Sequence, residues 1–253
     1  MNLVKNKKVK TLNQLVFIVF IGLLSCFSVF AKDSINIAVD NMPPYIDERA
    51  RNNGIIADIV LKAFANQNVG VELKYSPWMA TESLIDESKH ISFMWGRNND
   101  KERKWLFSDA IYRSEVVIVA TKESRMFWDR VDQLRQYDLG IARGVSYGDV
   151  FDNYKPYLNL TETLSDYVNL KKLLARELDG VVIERLQAEY LLSFFNSRQV
   201  DSLEFISQPV VYSQPYFLVC SKSYSKCFDY INKFNRGLKQ LRAQGYVQKA
   251  LNN

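Results

Sequence analysis

Residues 91–112 read ISFMWGRNNDKERKWLFSDAIY. The first five, apolar except for one serine, have the length of a short buried strand and are too few for a helix. Gly96 ends the run and lets the backbone come close to a ligand. Asn98 follows, able to donate and accept hydrogen bonds, and the charged stretch after it predicts a helix with Arg103 in its first turn. A strand feeding a polar turn and then a helix is a repeating unit of α/β sheets.

The same order recurs on both sides. Alternation or β-branched runs predict strands at 34–39, 71–75, 115–121, 138–142, 180–183 and 216–220. Apolar residues at helical spacing predict helices at 56–67, 79–88, near 131–135, at 166–178, 185–195, 227–243 and 246–251. No internal repeat or low-complexity segment interrupts the order. Alternating strands and helices imply an α/β class with parallel pairing, and ligands on such sheets bind beyond the carboxyl ends of the strands. The polar and aromatic residues just past strand ends are therefore the candidates: Asp40, Trp78, residues 95–98, residues 143–146 and Glu184.

The chain has 253 residues, of which 47% are hydrophobic and 24% charged, a globular composition that excludes collagen-like and disordered classes. Net charge is +5, but Lys5, Lys7, Lys8 and Lys10 precede any acid, and without those four the rest carries +1. A nearly neutral body lacks the clustered basic surplus that a nucleic-acid partner requires. Behind the lysines an apolar run spans 16 residues, 15–30, and ends at Ala31 before Lys32-Asp33. That arrangement reads as a secretory signal peptide over 1–31, which implies export. The alternatives are an uncleaved anchor, for which the run is short of the roughly 20 residues needed, and a lipoprotein, because Leu23-Leu24-Ser25-Cys26 loosely resembles a lipobox. The mature part keeps Cys220 and Cys227, one ending a strand and the other opening a helix. In an oxidising compartment such a pair is expected to form a disulfide, two independent buried thiols being the alternative.

Catalytic patterns are absent. His90 is the single histidine and reads as a surface residue; there is no nucleophile elbow, metal-ligand spacing, P-loop or dinucleotide fingerprint. No cofactor, no metal and no enzymatic activity are expected.

Six segments carry a resemblance. Gly96 to Arg103 with Phe107-Ser108-Asp109-Ala110-Ile111-Tyr112, Asp40 with Pro44-Tyr45, Gly54-Ile55-Ile56-Ala57-Asp58-Ile59, residues 139–146, Asp179-Gly180-Val181-Val182-Ile183-Glu184, and Asn232 through Gly245-Tyr246 stand in the order of conserved segments in the family 3 periplasmic solute-binding proteins. These are the amino-acid-binding components of ABC importers, and the chain resembles them over nearly all of 34–250. The resemblance implies a two-lobed, type II periplasmic binding protein-like fold with two hinge crossovers and a cleft between the lobes. Lobe 1 would comprise 32–115 and 214–253, lobe 2 118–211, and the crossovers 115–118 and 211–216. It further implies that Arg103 clamps a ligand carboxylate, aided by Gly96, Asn98 and, from the second lobe, Ser146. Glu184 would meet the ammonium, Tyr45 and Trp78 would cover the ligand, and Asp40 would read its side chain. Trp95 replaces a small residue and implies a narrower pocket, a flatter ligand, or a π-face for a cation, its other reading being core packing, as for Trp78. Glu184 is one methylene longer than the aspartate usual there, and Asn98 replaces Thr or Ser. A zwitterion entering a cleft loses hydration at both poles, so each needs a fixed counter-charge. The expected function is capture of a small polar solute, an amino acid or related zwitterion, by a monomer that delivers it to an ABC permease. The alternatives are a receptor presenting its closed state to a membrane sensor and, further off, a dehydratase-type enzyme.

Overall fold

The computed structural model describes residues 33–87, 90–206, 209 and 211–252. The segment read as a signal peptide lies outside the described residues. In the first half, β1 (Asp33–Val39), α1 (Ile55–Ala65), β2 (Val69–Tyr75), α2 (Trp78–Asp86) and β3 (Ile91–Trp95) alternate as the hydrophobic periodicity predicts. A six-residue α3 (Asn99–Lys104) and a three-residue β4 (Trp105–Phe107) lead into β5 (Tyr112–Thr121). The second half holds β6 (Leu139–Ala142), α4 (Asp149–Tyr154), β7 (Leu160–Thr163), α5 (Asp166–Leu174), β8 (Gly180–Glu184), α6 (Arg185–Leu192), α7 (Ser197–Asp201) and β9 (Leu203–Ile206). The chain returns along β10 (Tyr212–Ser221) and closes with α8 (Cys227–Ala243) and α9 (Tyr246–Leu251).

The short elements β4, α4, β7, α7 and β9 have no counterpart in the sequence reading. β7 shows why: it reads LTET, is mostly exposed, and is held by parallel pairing to β6 rather than by a buried face of its own. The helix expected to run to 178 stops at Leu174, and Arg176 turns left-handed at φ 62° just beyond it. Residues 131–136 form a 3₁₀ segment rather than an α-helix.

Strand order is β2-β1-β3-β10-β5-β8-β6-β7, with β4 also pairing β10 and β9 pairing β5. Two long strands serve both halves. β10 pairs antiparallel with β5 over Tyr212–Tyr216 and with β3 over Phe217–Cys220. β5 in turn pairs with β8 from Val116 onward. Residues 115–118 lie within β5, and 212–216 of the expected 211–216 within β10. Each half has its own core, which makes the fold two-lobed and mixed α/β. Ile37, Ile59, Phe64, Phe93, Phe234 and Leu238 pack between the first half-sheet and α1 and α8. In the second half Ile118, Leu139, Phe151 and Val182 pack on one face, and Leu170, Leu173, Val181 and Ile183 on the other. β8, antiparallel to β5 on one side and parallel to β6 on the other, is thus covered on both faces.

Cys220 and Cys227 form a disulfide with Cα atoms 5.8 Å apart, tying the end of β10 to the start of α8. Both are buried in the first core. Replacing both by alanine should lower unfolding free energy by about 2 kcal/mol, the chain-entropy value for so short a loop. Denaturant melts of the two proteins check this, and an unchanged unfolding free energy would contradict it.

Candidate functional site

The carboxyl ends of the parallel strands of both halves converge on one cavity of about 290 Å³. Tyr45 enters it from the loop after β1. That loop is clamped to the start of α1: the Tyr45 carbonyl accepts from the N–H groups of Ile56 and Ala57 at 3.0 and 3.1 Å. Gly54 makes the clamp possible, with φ 95° and room for no side chain, since a Cβ there would lie 2.7 Å from the Tyr45 oxygen. Asp40, just past β1, does not reach the cavity. Its carboxylate accepts from the N–H of Trp78 at 3.1 Å and of Asn41 at 2.7 Å, and so sets the first turn of α2.

A bulge decides which side chain of β3 faces the cavity. Phe217 of β10 sits opposite Trp95 and Leu218 opposite Phe93, leaving Met94 extra. Met94 takes φ 68°, a left-handed conformation unusual for a residue of this kind. One inserted residue reverses the alternation. Met94 therefore lines the cavity, while Trp95 turns to the opposite face from Phe93. Trp95 is only 1% exposed and donates from its indole N–H to Ser92 Oγ at 2.7 Å. One ring face stacks on Trp78 at 3.9 Å between centroids, and its edge meets Trp105 at 5.0 Å. Trp95 is thus a core residue that backs Trp78, and only Trp78 reaches the cavity.

From the second half come the turn after β6, the start of α5 and the end of β8. Asp152 holds the turn, accepting from Ser146 Oγ and from the Tyr147 N–H and pairing with Lys155 at 2.8 Å. Ser146 lines the cavity, but its hydroxyl proton is committed to Asp152. Tyr147 accepts from the Ala142 N–H at 2.7 Å. Gly148, at φ 90°, lets Tyr212 close the wall; a Cβ there would stand 2.3 Å from the Tyr212 ring. Glu184 is the last residue of β8 and caps α6, accepting from the Gln187 N–H at 3.0 Å.

The tyrosines then meet the acid. Tyr45 and Tyr112 donate to the two oxygens of Glu184, joining the β1 loop, β5 and β8. Burial first, and the Glu184 charge second, hold both phenols far above their ordinary pKa, so they remain donors. β10 adds a face at alternate positions, Tyr212, Gln214 and Tyr216, with Gln214 accepting from the Tyr212 hydroxyl at 3.0 Å and donating to that of Tyr216. Asp166 completes the lining. Its Oδ1 is buried without a hydrogen-bond partner, and desolvation pushes its carboxyl up to about 6.

That shift has a sign. An acid whose pKa is higher folded than unfolded binds more protons in the folded state between the two values. Asp166 therefore costs stability above pH 6, and the cost disappears as pH falls below about 4. Asp166→Asn should raise unfolding free energy at pH 7.5 by about 3 kcal/mol, with the gain fading toward pH 4. Denaturant melts at several pH values read this, and an equal effect at all of them would contradict it.

Of the expected ligand contacts, the structure brings together Tyr45, Trp78, Ser146 and Glu184. It does not bring Arg103. Helix α3 ends one residue after it, so Arg103 sits in the last turn rather than the first. Its side chain is 74% exposed and paired with Asp100 of the same helix. Asn98 caps α3, accepting from the Lys101 N–H at 2.8 Å. Gly96 lies behind Gln214, where a Cβ would be 3.5 Å from the amide oxygen, and does not itself line the cavity. Met94, Tyr112, Tyr147, Asp166, Tyr212, Gln214 and Tyr216 line the cavity without being among the expected contacts. Of these, Tyr112 ends the segment 107–112, and 212, 214 and 216 have the period-two spacing of one strand face.

Neither a protein-family model nor a curated protein matches the sequence. Solved structures do match in fold. The L-cystine solute receptor of Neisseria gonorrhoeae in its unliganded open conformation is 14% identical at TM-score 0.69, over 87% of this chain and 92% of that one. An ancestral cationic amino acid solute-binding protein is 15% identical at TM-score 0.69, over 87% and 94%. A histidine kinase sensor domain similar to periplasmic binding proteins is 16% identical at TM-score 0.59, over 87% and 95%. At these identities the likeness establishes the fold: the two-lobed periplasmic binding protein architecture.

Proposed function

We propose that this protein is a solute-binding module that captures a small ammonium-bearing solute, an amino acid or an amine related to one, by closing its lobes. The observation that carries this reading is the set of hydrogen bonds from Tyr45 and Tyr112 to Glu184, inside a cavity lined from both halves. A solute held there contacts both lobes at once, so it favours their closed arrangement. Lobe 1 is assigned to 32–115 and 214–253 and lobe 2 to 118–211, with paired β5 and β10 as the flexing segment. The protein acts as a periplasmic monomer released from its signal peptide, and it delivers solute to an ABC permease. The solute-binding proteins among its structural likenesses support this reading. The sensor-domain likeness favours the second reading, presentation of the closed state to a membrane sensor. No enzymatic step is assigned.

Thermal shift and calorimetry with amino acids and amines test the proposal. Stabilisation by at least one compound, lost in a Tyr45→Phe and Glu184→Gln double variant, is the expected result. Failure of the whole panel would end the solute-binding reading. A partner pull-down from membranes with and without solute separates permease from sensor.

A further inference from the structure

The expected cavity neutralises both poles of a zwitterion; the observed one offers a counter-charge for only one. Among the described residues its lining includes two carboxylates, Asp166 and Glu184, and six aromatic side chains, but no lysine, arginine or histidine. Arg113, between the lining residues Tyr112 and Ser114, is exposed on the alternate face of β5, and four other cations near the lining segments are engaged elsewhere. Arg103 faces solvent beside Asp100. Arg143 pairs with Glu162 at 3.1 Å, and Arg185 with Glu115 at 3.2 Å. Arg97 lies over the rings of Phe107 and Phe217 and pairs with Glu102 at 3.4 Å. Ser146, the hydroxyl expected to serve a carboxylate, gives its proton to Asp152. A ligand carboxylate would lose its hydration and share the cavity with two acids.

A positive group meets the opposite situation. The buried Asp166 Oδ1 is an acceptor without a donor, which a native interior rarely leaves unmet. Glu184 already takes three donors, from Tyr45, Tyr112 and the Gln187 N–H, and a carboxylate has room for about four. Trp78, Tyr212 and Tyr216 also line the cavity, and aromatic rings attract cations through their quadrupoles; the Tyr147 ring already carries Lys155 at 5.2 Å from its centroid.

We propose that the solute is an organic cation without a carboxylate: a primary amine, diamine or guanidinium compound held by Asp166, Glu184 and the aromatic walls. The cavity of about 290 Å³ suits a small solute. This rests on the solute-binding reading above and narrows its substrate class.

Pairs of compounds that differ by one carboxylate test it: agmatine and arginine, cadaverine and lysine, tyramine and tyrosine, histamine and histidine. Each is titrated calorimetrically into the purified full chain at pH 7.5. At least one amine should bind tenfold or more tightly than its parent amino acid. Asp166→Asn should weaken that amine tenfold or more while the variant still melts cooperatively, and Arg103→Ala should leave it within twofold. A parent amino acid that binds as well as its amine, or a large loss in Arg103→Ala, overturns the cation assignment and leaves solute capture standing. No binding by either member of any pair overturns both.

Discussion

Glu184→Gln should weaken solute binding by about a hundredfold or more. Glu184 is the one lining carboxylate that accepts hydrogen bonds from two other segments of the cavity wall, through Tyr45 and Tyr112. The glutamine keeps the shape but removes the charge, and its amide nitrogen would turn donors toward phenols that themselves donate. Losing one member of a buried charge pair costs 2–5 kcal/mol, and about 2.7 kcal/mol is a hundredfold. The fold should survive, because the amide oxygen can still cap α6 at Gln187. Glu184→Asp should lose less affinity, since the charge remains and only a methylene of reach is gone. Calorimetry on the three proteins decides it; a glutamine variant within threefold of wild type would remove Glu184 from the binding machinery.

Gly237→Ala should be among the most damaging single substitutions for stability. In an ordinary helix interior this change gains up to about 1 kcal/mol. Here α8 lies so close on α1 that an added Cβ would stand 1.9 Å from the Ala63 carbonyl oxygen and 2.6 Å from its carbon. Backbone cannot swing aside as a long side chain would. The helices must separate, opening the contact of Phe64 with Phe234, now 5.4 Å between ring centroids. A loss of about 3 kcal/mol is expected, equivalent to a melting temperature lower by roughly 10 °C. Urea melts read the first figure and calorimetric scans the second. An alanine variant as stable as wild type would mean that α8 and α1 do not pack this closely.

Both predictions bear on what could be read in advance. Periodicity located β1, α1, β3, β8, α8 and α9 because each carries a buried face long enough to repeat. It passed over β7 and β9, four residues each, whose stability comes from the strands beside them. Strand ends were a sound guide to the cavity, and Tyr45, Trp78, Ser146 and Glu184 converge there. The guide failed where local geometry departs from the regular repeat. A bulge at Met94, with neither Gly nor Asn to announce it, sent Trp95 into the core. A helix of six residues left Arg103 in its last turn, turned toward solvent.

The amino-acid order alone determined an alternating α/β chain with its polar and aromatic groups gathered at strand ends, because burial imposes periods of two and 3.6 on any segment that must hide one face. Which of those groups look at one another was a tertiary decision. The charge of the cavity depends on where side chains point, and one extra residue in a strand or one missing turn of helix reverses that direction without altering the pattern of apolar residues. The acidic, aromatic character of the cavity therefore emerges only when β5, β8 and β10 bring residues from distant segments to a common wall.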